Sequence, residues 1–275
     1  MLELPEAITI AGQINNAVCG KRITNVIAAQ SPHKFAFFHK DPQKYHEILS
    51  GKSPEKAIGY GGLIEIRVNG AIMLFGDGAS LRYHGAGEQR PQKHQLLIEF
   101  EDESALSVSV QMYGGLWCFR DGEFENTYYT AAKEKPSPLS EKFDKSNWDA
   151  MITAPGAGKM TAKALLATEQ RVPGLGNGVL QDILFNAKIH PKKKIGILSK
   201  KETDFLFNSL KETLAEMTFK GGRDTERDLF GCNGGYVTKL SKNTAGQPCA
   251  VCGETIIKEN YMGGSIYYCS GCQKN

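Results

Sequence analysis

The chain has 275 residues, 41% hydrophobic and 23% charged, with a formal net charge of +3. That is long enough for two domains and has the composition of a globular protein rather than a disordered or fibrous one. No basic-then-apolar leader opens the chain and no run of 18 or more apolar residues could cross a bilayer, so a cytoplasmic protein with no membrane partner is expected. The charge is uneven. Residues 186–275 carry 14 Lys/Arg against 9 Asp/Glu, while the rest carries 19 against 21. A basic C-terminal third suits a nucleic-acid partner, although lysine-rich faces are also common as plain solvated surface.

In chain order, Pro5 suits a first helical turn, and Ala7, Ile10, Ala11, Ile14 and Val18 recur at helical spacing until Gly20. Met1–Glu3 therefore lie just ahead of a helix N-terminus, which is electropositive and can hold an anion. From Arg22 to Tyr129 the pattern turns to short strands: Ile23–Ala29, Lys34–Phe38, Leu63–Val68, Ala71–Phe75, Ser80–His84, Gln95–Phe100, Ala105–Met112 and Leu116–Phe119. Asn69-Gly70 marks a hairpin. Eight such strands predict a β-sandwich or flattened barrel, and with the helices on either side an α+β fold.

Residues 131–147 are charged, contain proline and lack an apolar period, which reads as a linker. A helix is expected over Lys159–Glu169. A Gly-containing loop follows, and Asn177 is placed to N-cap the next helix, which buries Leu180, Ile183, Leu184 and Ala187 and ends at His190-Pro191. Ser199 with Glu202 forms a capping box for a third helix, which buries Leu206, Leu210, Leu214 and Met217 and stops at Gly221-Gly222. Residues 223–248 have no period. The expected division is 1–130, the linker 131–147, a helical part 148–245 and a terminal module 246–275.

That module is the most specific motif. Cys249-x-x-Cys252 and Cys269-x-x-Cys272 are separated by 16 residues, the spacing of a four-thiolate zinc site on a hairpin that turns at Gly263-Gly264. Two disulfides or four unrelated cysteines are the alternatives. Cys19, Cys118 and Cys232 read as reduced thiols. Gly156-Ala157-Gly158-Lys159 is not a phosphate loop, because Thr153 and Met160 stand where Gly and Ser/Thr are needed. Gly174-x-Gly176 lacks the third glycine of a dinucleotide fingerprint.

The order of four motifs adds a further reading. Glu3-Leu4-Pro5-Glu6, Val172-Pro173-Gly174-Leu175-Gly176-Asn177, Ile189-His190-Pro191 and Pro248-Cys249…Cys272-Gln273 together resemble the formamidopyrimidine-DNA glycosylase and endonuclease VIII family over essentially the whole chain. The resemblance implies a helix–two-turn–helix fold with a zinc finger, acting on damaged DNA in a cleft between two domains, as a monomer. It implies that Lys163 and Asn177 touch phosphates and that Glu3 moves a proton at the sugar. Simple capping by Asn177 and helix-dipole decoration by Glu3 are the bland counterparts. The family's nucleophile is an N-terminal proline amine, but this chain has Leu2 there, leaving the α-amine of Met1 as the substitute. Gly264 stands where the finger's arginine is expected, Asp182 where the second helix has a glutamate, and Asp77, Gln111 and Tyr113 near the residues that fill the gap left by a flipped base. Two functions follow. One is a base-excision glycosylase or abasic-site lyase with altered chemistry. The other is an inactive paralogue that binds damaged DNA or structured RNA.

Overall fold

The structure is a computed structural model that describes residues 1–274. Helix α1 (Leu4–Ala17) begins with proline in its first turn and buries Ala7, Ile10, Ala11 and Ile14. Its apolar stripe is wide enough to face two ways. Ala7, Ile10 and Ile14 pack in the core of the sheet, while Leu4 belongs to the core of the C-terminal helices. The first helix therefore joins both cores.

Seven strands follow, not eight: β1 (Ile23–Ala28), β2 (Ala36–Phe38), β3 (Pro54–Tyr60), β4 (Leu63–Val68), β5 (Ala71–His84), β6 (Leu96–Phe100) and β7 (Ala105–Arg120). They form one sheet ordered β1-β6-β7-β5-β4-β3, with β2 parallel to β7. Residues from both ends of this order, Ile23 and Ile98 as well as Ile64 and Ala57, share one core, so the sheet folds over into a sandwich. The strand count differs from expectation for a local reason. Gly76 and Gly78, and Gly114 and Gly115, read as turns, yet they lie within the long strands β5 and β7, where the register shifts between Asp77 and Ala79. A bulge bends a strand without ending it. Strand β3 escaped notice because it is a half-exposed edge opening on Pro54.

Short helix α2 (Tyr45–Leu49) fills the gap before β3. The segment 131–147 takes in the end of one helix and the start of the next, with only turns over 135–144. Helix α3 (Thr127–Glu134) packs Tyr129 and Ala132 on the outer sheet face, and α4 (Lys145–Thr153), capped by Asp144, buries Trp148. Its period is too short to read because each helix spends only one or two side chains on the core. Next come α5 (Ala162–Ala167), shorter than expected and capped by Thr161, α6 (Asn177–Asn186) and α7 (Lys200–Phe219). In α7 both halves of the Ser199–Glu202 capping box form, and Leu206, Leu210, Leu214 and Met217 are buried as expected. Strands β8 (Ile256–Tyr261) and β9 (Gly264–Cys269) make the terminal hairpin. Among the described residues no helix is long and apolar enough to cross a membrane.

Candidate functional site

The N-terminus is threaded between the two cores. The Leu2 N–H donates to Asp77 O at 2.7 Å, and the Leu4 N–H to Gly174 O at 2.9 Å. The Leu2 side chain is buried in the sheet core. Met1 stays 45% exposed, and its α-amine lies 2.5 Å from Glu226 Oε2. Below it the β3–β4 turn meets the α5–α6 loop backbone to backbone. A Cβ on Gly174 would sit 2.3 Å from the Gly61 carbonyl carbon, and both residues have positive φ, so the contact needs two glycines.

Glu3 does not cap its own helix. Its carboxylate oxygens accept from the Gly178 and Val179 N–H groups, each at 2.7 Å, and so cap α6. Asn177, expected as that cap, is instead the first helical residue. The N-cap is Gly176, which has no side chain to accept from the first amides, and Glu3 supplies the missing acceptor. Arg223 joins these groups. Its guanidinium forks onto Glu6 at 2.8 and 2.9 Å, lies 3.6 Å from Glu3 and donates to Met1 O at 3.3 Å. Glu226 Oε1 lies 4.0 Å away as well, so three carboxylates face this one buried cation. Burial pushes the Glu3 carboxyl above 4.5; Arg223 opposes the shift and Glu6 adds to it. Gly178 has no room for a side chain, since a Cβ there would fall 1.5 Å from Arg223 Nη1.

Asn177 and Lys163 come together, but on the hairpin. Asn177 Nδ2 donates to Ser265 O at 2.5 Å and the Lys163 ammonium to Tyr261 O at 2.6 Å. Gln181 adds to the attachment by accepting from the Tyr267 N–H. Lys163 is nearly buried, and desolvation lowers its pKa. Gly264 faces the pair, with a notional Cβ 3.3 Å from Asn177 Nδ2 and 3.8 Å from Lys163 Nζ. Asp182 accepts from the Lys239 and Leu240 N–H groups, which ties α6 to the segment leading into the hairpin.

All seven cysteines are free thiols, which removes the disulfide alternative. The four hairpin sulfurs lie within 4.8 Å of one another, with Cys249–Cys272 at 3.8 Å and Cys252–Cys269 at 3.3 Å. Four ligands at about 2.3 Å from a tetrahedral ion would be roughly 3.8 Å apart. The donor set and its size therefore fit a metal ion.

Met1 divides the cleft between the cores into two cavities. One, of about 420 Å³, is lined by Met1, Glu3, Asp77, Tyr113, Trp117 and Gly176 among others. The other, of about 460 Å³, includes Met1, Gln111, Arg82, Glu226, Arg227 and Lys242. Asp77 adopts φ +57° at the strand bulge, and burial raises its carboxyl pKa. Arg223 and Glu226 were not singled out from the sequence, because they lie in the aperiodic stretch after α7. The one available signal was Glu6, an acid in the first turn of an otherwise apolar helix face.

Residues 135–227 match the formamidopyrimidine-DNA glycosylase H2TH domain. The formamidopyrimidine-DNA glycosylase of Listeria innocua is 27% identical over 288 residues, covering 100% of both chains. That of Bacillus cereus is 27% identical over 293 residues, covering 99% of both. Over its whole length the chain is therefore similar to formamidopyrimidine-DNA glycosylases, and it carries their H2TH domain over residues 135–227. Two solved structures share its fold. One is Lactococcus lactis Fpg in complex with DNA containing an abasic site, with TM-score 0.82 and 21% identity over 99% of this chain and 100% of that one. The other is MutM (Fpg) from Thermus thermophilus, with TM-score 0.80 and 21% identity over 98% of each. Position 2 is the chief departure from the resemblance read in the sequence. The Leu2 nitrogen is a peptide N–H committed to Asp77 O, not a free amine.

Proposed function

We propose that the chain is a cytoplasmic, monomeric DNA-repair protein that binds damaged duplex in the cleft between the sandwich and the helical part. The relatives' activity and the cleft lined by both cores support this reading. In it the four cysteines hold a structural zinc ion, which stabilises the hairpin and takes no part in chemistry. Lys163 and Asn177 hold the hairpin and present the α6 N-terminus to a phosphate.

The observation that carries the chemical side is the Met1 α-amine, with the Glu226 carboxylate 2.5 Å away, on a residue that lines both cavities. An amine must shed a proton before it attacks. In this reading Glu226 accepts that proton, the nitrogen bonds to C1′ of an abasic aldehyde, and the carbinolamine loses water to an imine as Glu226 returns the proton to the departing hydroxyl. Glu3 lines the other of the two cavities, away from Glu226, and α6 amides hold both its oxygens, so its role is to position Met1 and α6.

Binding to abasic duplex, intact duplex and structured RNA, followed by a search for strand cleavage, tests this. Preference for the abasic duplex with cleavage is expected. Preference without cleavage would leave the inactive-paralogue reading, and preference for RNA would overturn the DNA assignment.

A further inference from the structure

We propose that Phe35, Phe37, Tyr113 and Trp117 form a stacking platform for unpaired nucleotides of a strand leaving the cleft, a surface that rests on the DNA-binding reading above. The sheet register builds the row. Strand β2 runs parallel to β7, with Phe37 opposite Gly115 and Phe38 opposite Leu116, and the Gly114 N–H donates to Phe35 O at 3.0 Å. Side chains alternate along a strand. Ala36, Phe38 and Leu116 point to the sandwich core. The opposite face carries Phe37 on β2 and Gly115 and Trp117 on β7; Phe35 lies in the turn that leads into β2, and Tyr113 in the irregular stretch of β7 just before Gly114. The indole of Trp117 folds back over Gly115, where a Cβ would meet the ring at 2.1 Å.

One end of the row is inside the site already described, since Tyr113 and Trp117 line the cavity that holds Met1. The other end is open to solvent. Phe35 and Phe37 are each 47% exposed, two residues apart. Exposed contiguous apolar surface on a sheet marks a binding face. Lys34 sits with its ammonium 5.3 Å from the Phe35 ring centroid, and no carboxylate pairs with it among the described residues. Lys40, by contrast, is held by Glu123 at 2.9 Å. Aromatic faces in series beside a free cation suit bases and a phosphate backbone, because every base offers a π-face whatever its identity. Continuity with the cleft favours nucleic acid over a protein or lipid occupant.

The test compares three DNAs: abasic duplex fully paired, the same duplex with unpaired nucleotides beside the lesion, and a single strand. Wild type should bind the unpaired forms more tightly. The double variant F35A/F37A should lose roughly 5- to 150-fold on them, the effect of one stacked base, with less than twofold change on the paired duplex. F35L/F37L keeps apolar area without a π-face and should behave like F35A/F37A. Retained binding in the leucine variant would mean a generic apolar docking surface. Trp148 is fully buried, so quenching of the chain's tryptophan emission by a single strand reports on Trp117. Equal losses on all three DNAs, or no loss, would overturn the platform. Wild type that binds paired abasic duplex alone would overturn the platform but not the repair reading. Wild type that binds only unpaired DNA, through these rings, would do the reverse, and binding to none would overturn both.

Discussion

Replacing Glu3 with alanine should destabilise the protein by removing the cap of α6. The carboxylate accepts two N–H bonds at 2.7 Å from Gly178 and Val179, and it is 4% exposed. Hydrogen bonds to a charged acceptor contribute about 1.5–3 kcal/mol each, and buried donors left bare cost a comparable amount. Against that, the substitution relieves the burial of a charge and its repulsion with Glu6, the two effects that raise the Glu3 pKa. Offsetting roughly half of the loss leaves about 3 kcal/mol, which exceeds a surface N-cap. In a chain of this size that lowers Tm by roughly 6–12 °C. Urea and thermal melts followed by helical circular dichroism measure it. The pH dependence adds a signed check. A folded pKa raised above 4.5 means that this group favours the folded state most below pH 4.5, and that the contribution is lost as the pH rises through the folded value. Wild type should therefore gain stability relative to Glu3→Gln as the pH falls towards 4.5. Glu3→Ala melting within 1 °C of wild type would refute the idea that Glu3 caps α6.

Gly178→Ala should be more damaging than a helix-interior Gly→Ala change usually is. Its Cβ would displace Arg223 from between Glu3 and Glu6, at a cost of about 2–4 kcal/mol by the same melts. The purified protein should contain about one zinc per chain by atomic absorption, and chelation should expose residues 249–272 to protease, because a hairpin this small has little core of its own. Gly264→Arg should raise duplex affinity and steepen the salt dependence by about one counterion in anisotropy titrations, since the position faces Asn177 and Lys163 and its φ suits any residue.

Elements whose signals are local were legible in the sequence. Helix α7 carries its own capping box and apolar stripe, α1 its proline and period, and the cysteine spacing brings four sulfurs together without help from the rest of the chain. What escaped depends on distance. The acceptor for α6 is Glu3, 175 residues away in sequence, so Asn177 was the only local cap to choose, and it proved to bind the hairpin. Arg223 and Glu226 lie in a stretch with no period, and only the folded chain brings them to Met1 and Glu6. The glycines of β5 and β7 have the same composition as turns, and only strand pairing distinguishes a bend from an end. Position 2 was legible as a departure from the family, while its consequence, a peptide N–H held by Asp77, was not.

The Met1 assignment is tested most directly by reducing the protein with borohydride on abasic duplex, digesting the crosslinked species and locating the sugar remnant by mass spectrometry. The remnant should be on the α-amine of the Met1 peptide, in a yield that falls in Glu226→Gln. A remnant on a lysine, or no crosslink from protein that binds the same DNA, would contradict it.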